Sequence, residues 1–330
     1  MSAVRRRALV LWSGTAVALV ALVIASLAIG AVPLAPGAVL QALGGAGDPL
    51  AVTIVRELRL PRVVLAMLVG CALGGSGAAL QGTLRNALAE PYLLGVSGGA
   101  AVGAVLAMTI GITGAASVPL LAFAGAIAAV LLVLALARAA GGARDPRMLL
   151  MAGVIIGAFA NAVILILLAD VAPERVRGAM WWMAGSLTDA SWERVGWLAT
   201  YVLVGLSLLI ARGRLLDVLA LGDESAAALG ADVARTTRQV FLISALLAAA
   251  SVAAAGLIGF VGLVVPNIVR AFGVVRHRAL IVSAAAGGAV LLLFADLLAR
   301  TVRAPVELPI GAITALIGVP VFLARLRRIR

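Results

Sequence analysis

The sequence contains no lysine: all 26 of its basic residues are arginine, set against 14 acidic ones. That absence excludes a class of function, because a phosphate-binding loop of the form G-x-x-x-x-G-K-[ST] needs its lysine. If ATP drives this protein, another chain must hydrolyse it. Cysteine and histidine occur once each, as Cys71 and His277, so no disulfide can form within the chain and no transition-metal site can be assembled from these ligands. Cys71, inside an apolar run, reads as a packed thiol. His277, between two arginines in VVRHRAL, reads as a solvated interfacial residue. Charged residues are only 12% of the chain and are nearly missing from the middles of the apolar runs. That argues against a proton relay or a sodium-coupled carrier, where buried Asp or Glu is expected.

What is present is apolar. Hydrophobic residues make up 64% of the chain and mean hydropathy is +1.18, the composition of an all-α polytopic membrane protein without a soluble domain. Residues 1–330 therefore read as one transmembrane domain. The net charge of +12 does not imply nucleic acid, since the arginines cluster between apolar runs without the interleaved aromatics of a nucleic-acid surface. A hydrocarbon layer of about 30 Å takes about 20 helical residues. On that measure spans fall at 9–31, 63–84, two within 91–137 parted near GITGAAS (111–117), 148–169 and 195–211. Residues 235–275 hold two short spans or a broken pair, and the last two spans fall at 279–296 and 308–324. Trp181, Trp182, Trp192 and Trp197 stand where an interfacial belt belongs. The connection 212–238 is polar with apolar residues at helical spacing, and is expected to form short helices outside the hydrocarbon.

Ten spans put both termini on one side. With the termini inside, 18 arginines fall in inside loops and eight outside, which satisfies the positive-inside rule with both termini cytoplasmic.

Residues 93–103 read LLGVSGGAAVG, where Gly95, Ser97 and Gly99 spell the G-x-S-x-G of a nucleophile elbow and Gly95–Gly98 the G-x-S-G of intramembrane serine proteases. A nucleophilic serine needs a base within reach, and the one histidine lies in a loop among arginines. Gly95, Gly99 and Gly103 recur every four residues, as do Gly70, Gly74, Ala78 and Gly82 in the preceding span. Such faces let helix backbones approach closely. Ser97 therefore reads as a small helix-interface residue.

The stretch LRLPRVVLAMLVGCALGGSGAALQGTLRNALAEPYLLGVSGGAAVGA resembles the FecCD family of permease subunits, which belong to binding-protein-dependent ABC importers for iron–siderophores, haem and vitamin B12. The resemblance resumes in LALGDESAAALGADV, GLIGFVGLVVPNIVR, ADLLART and ELPIGAITALIGVPVF. It implies about ten transmembrane helices in the type II importer fold of the vitamin B12 permease. It also implies a homodimer in the bacterial inner membrane, two cytoplasmic ABC ATPase subunits and an extracytoplasmic substrate-binding protein. No cofactor is implied on this chain, ATP being bound by the ATPase.

Residue by residue, Leu221–Gly230 (LGDESAAALG) matches the family's L-G-E-x-S-A-x-x-L-G coupling segment. Leu219, Leu221 and Leu229 would enter the ATPase cleft and Asp223 and Glu224 would meet polar groups, with Gly222, Ser225, Ala226 and Gly230 completing the motif. Asp223 is shorter than the family's Glu. Arg59, Arg62 and Arg300 match arginines that dock glutamates of the binding protein, where bidentate pairing would fix orientation. Asn86, Ala87 and Leu88 replace Asn-Pro-Leu in a cytoplasmic constriction, so that loop loses the rigidity of Pro. Asn267 stands where many relatives have His. The implied cargo is a ferric siderophore, with haem or vitamin B12 as the alternative. The rivals from other classes are an ion-coupled carrier and an intramembrane serine hydrolase.

Overall fold

A computed structural model describes residues 3–112, 114, 116–141 and 146–326, and over these residues the chain is helical, with no strand. Arg144 and the arginines of the terminal RLRRIR beyond residue 326, counted above in the inside loops, lie outside the described residues. Helices α1 (Ala3–Ala28), α2 (Pro36–Leu43) and α3 (Pro49–Thr53) lead through a π-helical turn, Ile54–Arg59, into α4 (Leu60–Thr83). A 3-10 turn, Pro91–Leu94, precedes the short α5 (Val96–Thr109). Then come α6 (Ser117–Ala139), α7 (Pro146–Leu168), α8 (Pro173–Met183) and α9 (Trp192–Leu219). The remainder holds α10 (Asp223–Ala228), α11 (Val233–Ala255), α12 (Val261–Ala271), α13 (His277–Thr301) and α14 (Ile310–Leu326).

Among the described residues six segments are long and apolar enough to cross a membrane: α1, the continuous run Pro49–Thr83, α6, α7, α11 and α13. The apolar helices α5, α12 and α14 are shorter, and α9 is 28 residues long with charged residues towards both ends.

Helix α4 is the axis of the bundle. It packs against α13, α9, α11 and α12, and from Ala72 to Thr83 every residue is buried. Lipid tails are as apolar as leucine, so helices in a bilayer associate through close packing rather than through a hydrophobic drive. The sequence supplies that packing with glycine: a Cβ added at Gly70 would overlap the carbonyl of Gly288, and one at Gly74 that of Ala284. Reciprocally, a Cβ at Gly288 would overlap the carbonyl of Gly70. The backbones of α4 and α13 are thus in direct contact.

The region 235–275 resolves into a full-length α11 and an 11-residue α12 parted by Gly256–Phe260. Gly256 has φ +70°, and Phe260 adopts φ +69° despite its side chain, a conformation that L-residues avoid. The connection 212–238 differs from expectation. Arg212–Leu219 continues α9, α10 is the one separate helix, and α11 has begun by Val233.

Candidate functional site

At the N-terminal end of α4, Arg62 extends its guanidinium to two carboxylates. Its Nη1 and Nη2 donate to Glu307 Oε1 and Oε2, each at 2.8 Å, and its Nε donates to Asp296 Oδ1 at 2.9 Å. Asp296, on α13, is fully buried. Arg300, one turn further along α13, places its Nε 3.4 Å from Asp296 Oδ2, an ion pair without hydrogen-bond geometry, while its Nη2 donates to Ser26 O at 2.8 Å. Arg59 donates to Leu27 O (2.6 Å), Ala28 O (3.0 Å) and Val32 O, carbonyls at and beyond the end of α1, where the helix dipole favours a cation. Arg59, Arg62 and Arg300, expected to face outward, are therefore committed to partners within the chain. Fixed-charge groups at a helix end in an apolar bundle find the nearest carboxylates and carbonyls, and this chain supplies both. Glu307, in the connection before α14, also accepts from Thr188 Oγ1 at 3.1 Å. Its carboxyl is held below the ordinary value of 4.5, first by the hydrogen bond from Arg62, against the opposing effect of burial.

At the other end of α4, Gln81 does the corresponding work without charge pairing. Pro266 lies inside α12 and has no N–H, so the carbonyl of Gly262, four residues earlier, lacks its helical donor. Gln81 Nε2 donates to that carbonyl at 3.1 Å and to Leu263 O at the same distance, while Gln81 Oε1 accepts from Arg270. The Asn86–Ala87–Leu88 loop folds as a turn in which Asn86 Oδ1 accepts from Leu88 N at 2.9 Å. Asn267 Nδ2 ties this loop to α12 by donating to Ala87 O at 3.0 Å, and Leu88 is exposed. Two further side chains from the connection close the break between α11 and α12. Glu90 Oε1 accepts from Phe260 N at 2.6 Å and Tyr92 Oη from Ile258 N at 3.0 Å. Irregular backbone between spans is tolerated where the protein satisfies it in this way. Burial raises the Glu90 carboxyl above its ordinary value, with the Phe260 N–H pulling in the opposite direction.

Helix α10 lies beside this end. Leu221 and Leu229 are 64% and 66% exposed and flank it as unpartnered apolar side chains. Gly222 (φ +106°) and Gly230 (φ +79°) take conformations open to glycine. Leu219 and Ala226 are buried in the chain itself, so Leu219 is not available as part of an inserting face. Asp223 pairs with Arg85, just past α4, at 2.6 Å, and Glu224 and Ser225 are exposed.

Ser97 sits in the first turn of α5 and its Oγ donates to Tyr92 O at 3.3 Å. Gly99 and Gly103 abut α6, where an added Cβ would overlap the carbonyls of Gly125 and Leu121, and Gly95 (φ +78°) faces Val133 and Ile156. His277 departs from its expected solvation: it is buried, its N–H and Nδ1 both lie on Asp217 Oδ1 (2.8 and 2.7 Å), and its ring fills the space left by Gly82. Among the described residues no group of three or more His, Cys, Asp or Glu could hold a metal.

Sequence reasoning passed over Gln81, Glu90, Tyr92, Asp296 and Glu307. Pro266 inside a helix was the usable signal for Gln81, because it demands a donor from elsewhere. The others pair across 119 or more residues, except for the short-range Asp296–Arg300 contact.

A family model described as the FecCD transport family matches residues 18–328. A cobalamin import system permease protein of Halobacterium salinarum is 42% identical over 83% of this chain and 73% of its own length. An iron(3+)-hydroxamate import system permease protein of Bacillus subtilis is 34% identical over 90% of each chain. A solved chain described as an inward-facing conformation of a metal-chelate type ABC transporter has a TM-score of 0.86 at 29% identity, covering 97% of this chain and 99% of that one.

Proposed function

The chain belongs to the FecCD transport family, and from that premise we propose how its helices, loops and partners carry out import. It is the non-catalytic transmembrane permease subunit of an ABC importer, and the observation that carries this is the family match over 18–328 together with a structural likeness covering 97% of the chain. In our reading the whole chain is one domain with ten membrane crossings: the six long spans, α9, and the shorter α5, α12 and α14. Both termini are cytoplasmic, as the arginine distribution supports, so the Arg62 end of α4 faces outward and the Gln81 end inward.

Two copies form the transporter, with two cytoplasmic ATPases below and a binding protein above. Segment 212–238 is the coupling region. The exposed Leu221 and Leu229 support docking into an apolar cleft on the ATPase, and the Arg85–Asp223 pair gives α10 a direct attachment to the end of α4. The 86–88 loop, hydrogen-bonded to α12 through Asn267, is the cytoplasmic constriction. Alternating access follows when the ATPases move α10 and with it the α4 bundle. A docking carboxylate reaching Arg62 has to compete with Glu307, which is the more exposed of that arginine's two partners.

The cargo is a metal chelate, a ferric siderophore in the first reading. The higher identity of the cobalamin permease, 42% against 34%, favours vitamin B12 or the similarly bulky haem as the second. Reconstitution with the partner ATPase tests the assignment. Uptake should stop when the ATPase's phosphate-binding lysine is replaced, and Gly222→Pro should abolish ATPase association or coupling. Uptake driven by an ion gradient without ATP would refute the reading.

A further inference from the structure

Where α6, α7 and α11 meet at the end read as cytoplasmic, a cavity of about 290 Å³ is lined by Leu134, Arg138, Leu149, Asp232, Arg235 and Arg238. Its floor is apolar, since Leu134 and Leu149 are buried. Its rim is cationic, with Arg138 from the last turn of α6 and Arg235 and Arg238 from the first turns of α11. The two α11 arginines are three residues apart and so share a helix face. Among the described residues none of these three guanidinium groups makes a hydrogen bond or an ion pair. The carboxylate on the lining, Asp232, already caps α11 by accepting from Arg235 N at 2.9 Å.

Arginines are common at cytoplasmic helix ends, but that tendency does not require three of them to converge on one cavity. Like charges at this spacing repel, and the arrangement is relieved when an anion with several acceptor oxygens enters, because guanidinium groups bind phosphate through paired donors. The apolar floor distinguishes between sources of that phosphate. A free ion gains nothing from Leu134 and Leu149, and a carboxylate from a soluble partner would approach through water. A lipid phosphate at the boundary of the bilayer places its oxygens on the arginines and its glycerol and upper acyl carbons on the leucines. Exposed apolar side chains on the same two helices, Leu131, Leu132 and Met151, continue a surface for the chains into the membrane.

We propose that this cavity binds the phosphate headgroup of an anionic phospholipid from the cytoplasmic leaflet. Basic pockets between membrane helices suit such headgroups, and each arginine near the surface strengthens the attraction about fivefold.

The test uses the full-length chain in nanodiscs of phosphatidylcholine containing a minor fraction of phosphatidylglycerol, with lipid retained after detergent exchange measured by mass spectrometry. Phosphatidylglycerol should be retained in preference to phosphatidylcholine. Arg138→Gln combined with Arg238→Gln should weaken that preference by about fivefold for each arginine removed, with the thermal midpoint unchanged. If the double variant does not fold, Arg235→Gln alone should lower the preference about fivefold. Equal retention of the two lipids overturns the proposal. Displacement of phosphatidylglycerol by millimolar inorganic phosphate also overturns it, in favour of a free-anion site. Loss of ATPase association in the variants with lipid retention unaltered overturns it in favour of a protein contact.

Discussion

At its N-terminal end α4 presents Arg62 to two carboxylates, whereas at its C-terminal end Gln81 meets the carbonyls of Gly262 and Leu263. Both ends knit distant segments onto the same helix. The Arg62 cluster uses formal charge and sets two arginines, Arg62 and Arg300, on Asp296 and Glu307, with Arg59 drawn off to the end of α1. The Gln81 cluster relies chiefly on amide and backbone groups, and it repairs two defects in the backbone: the missing N–H of Pro266 and the break before α12. The comparison separates two roles for polar groups in an apolar bundle. Charges hold segments together and, through Arg59 and Arg300, also take up carbonyls at the end of α1, whereas the irregular backbone around α12 needs donors and acceptors at set positions.

The largest effect is expected at the charged end. Arg62→Met leaves Asp296 buried with only the 3.4 Å contact to Arg300, and breaking a buried pair on one side costs about 3–5 kcal/mol. The thermal midpoint in detergent should fall accordingly, and a shift matching less than about 1 kcal/mol would show that the ionic cluster is not what holds this end of α4. Next comes Gln81→Leu, which strands the Gly262 carbonyl beside Pro266 and should cost about 1–3 kcal/mol. It should do so with little dependence on pH, and a strong acid dependence would erase the distinction between the ends.

Titration sharpens the contrast further. Glu307 has a lowered pKa, so its stabilising contribution is complete above its unfolded value of 4.5 and is lost as pH falls through the lowered folded value. Glu90 has a raised one, so the native state takes up a proton first, and stability declines as pH rises from 4.5 through the raised value. Unfolding followed across this range should therefore lose its acid limb in Glu307→Gln and its opposite slope in Glu90→Gln. Identical profiles for the two variants would contradict the assignment. The smallest change is Ser97→Ala, which removes one 3.3 Å hydrogen bond worth about 1 kcal/mol or less. Transport should persist, and its selective loss in a stable variant would restore a role to that hydroxyl.

Much of the fold was legible because apolar runs and their interruptions are local properties. The run expected at 148–169 is α7, Pro146–Leu168, and that at 279–296 lies within α13. The glycine spacing of α4 likewise announced a close-packed face. That 235–275 divides was legible, but the choice between two short spans and a broken pair was not, because what permits the break at Gly256–Phe260 is Glu90 and Tyr92, 166 to 170 residues away. His277 misled for the same reason. Its arginine neighbours suggest water, but Asp217, 60 residues earlier, and the missing side chain at Gly82 make it a buried contact. The arginines matched by resemblance were findable as residues, while their partners at Leu27, Asp296 and Glu307 depend on tertiary structure.

The backbone contact between α4 and α13 has a mechanical consequence. Two rods joined along their length behave as a beam, and resist bending and relative twist far more than either does alone. Over 24 residues α4 spans about 36 Å, with Arg62 near one end and Arg85, paired to Asp223, just past the other. On the proposed coupling, a push delivered through α10 would not be absorbed midway along the glycine seam. It would arrive at the Arg62 charge cluster as displacement, and the two ends of α4 would be joined by stiffness rather than by a relay of side chains.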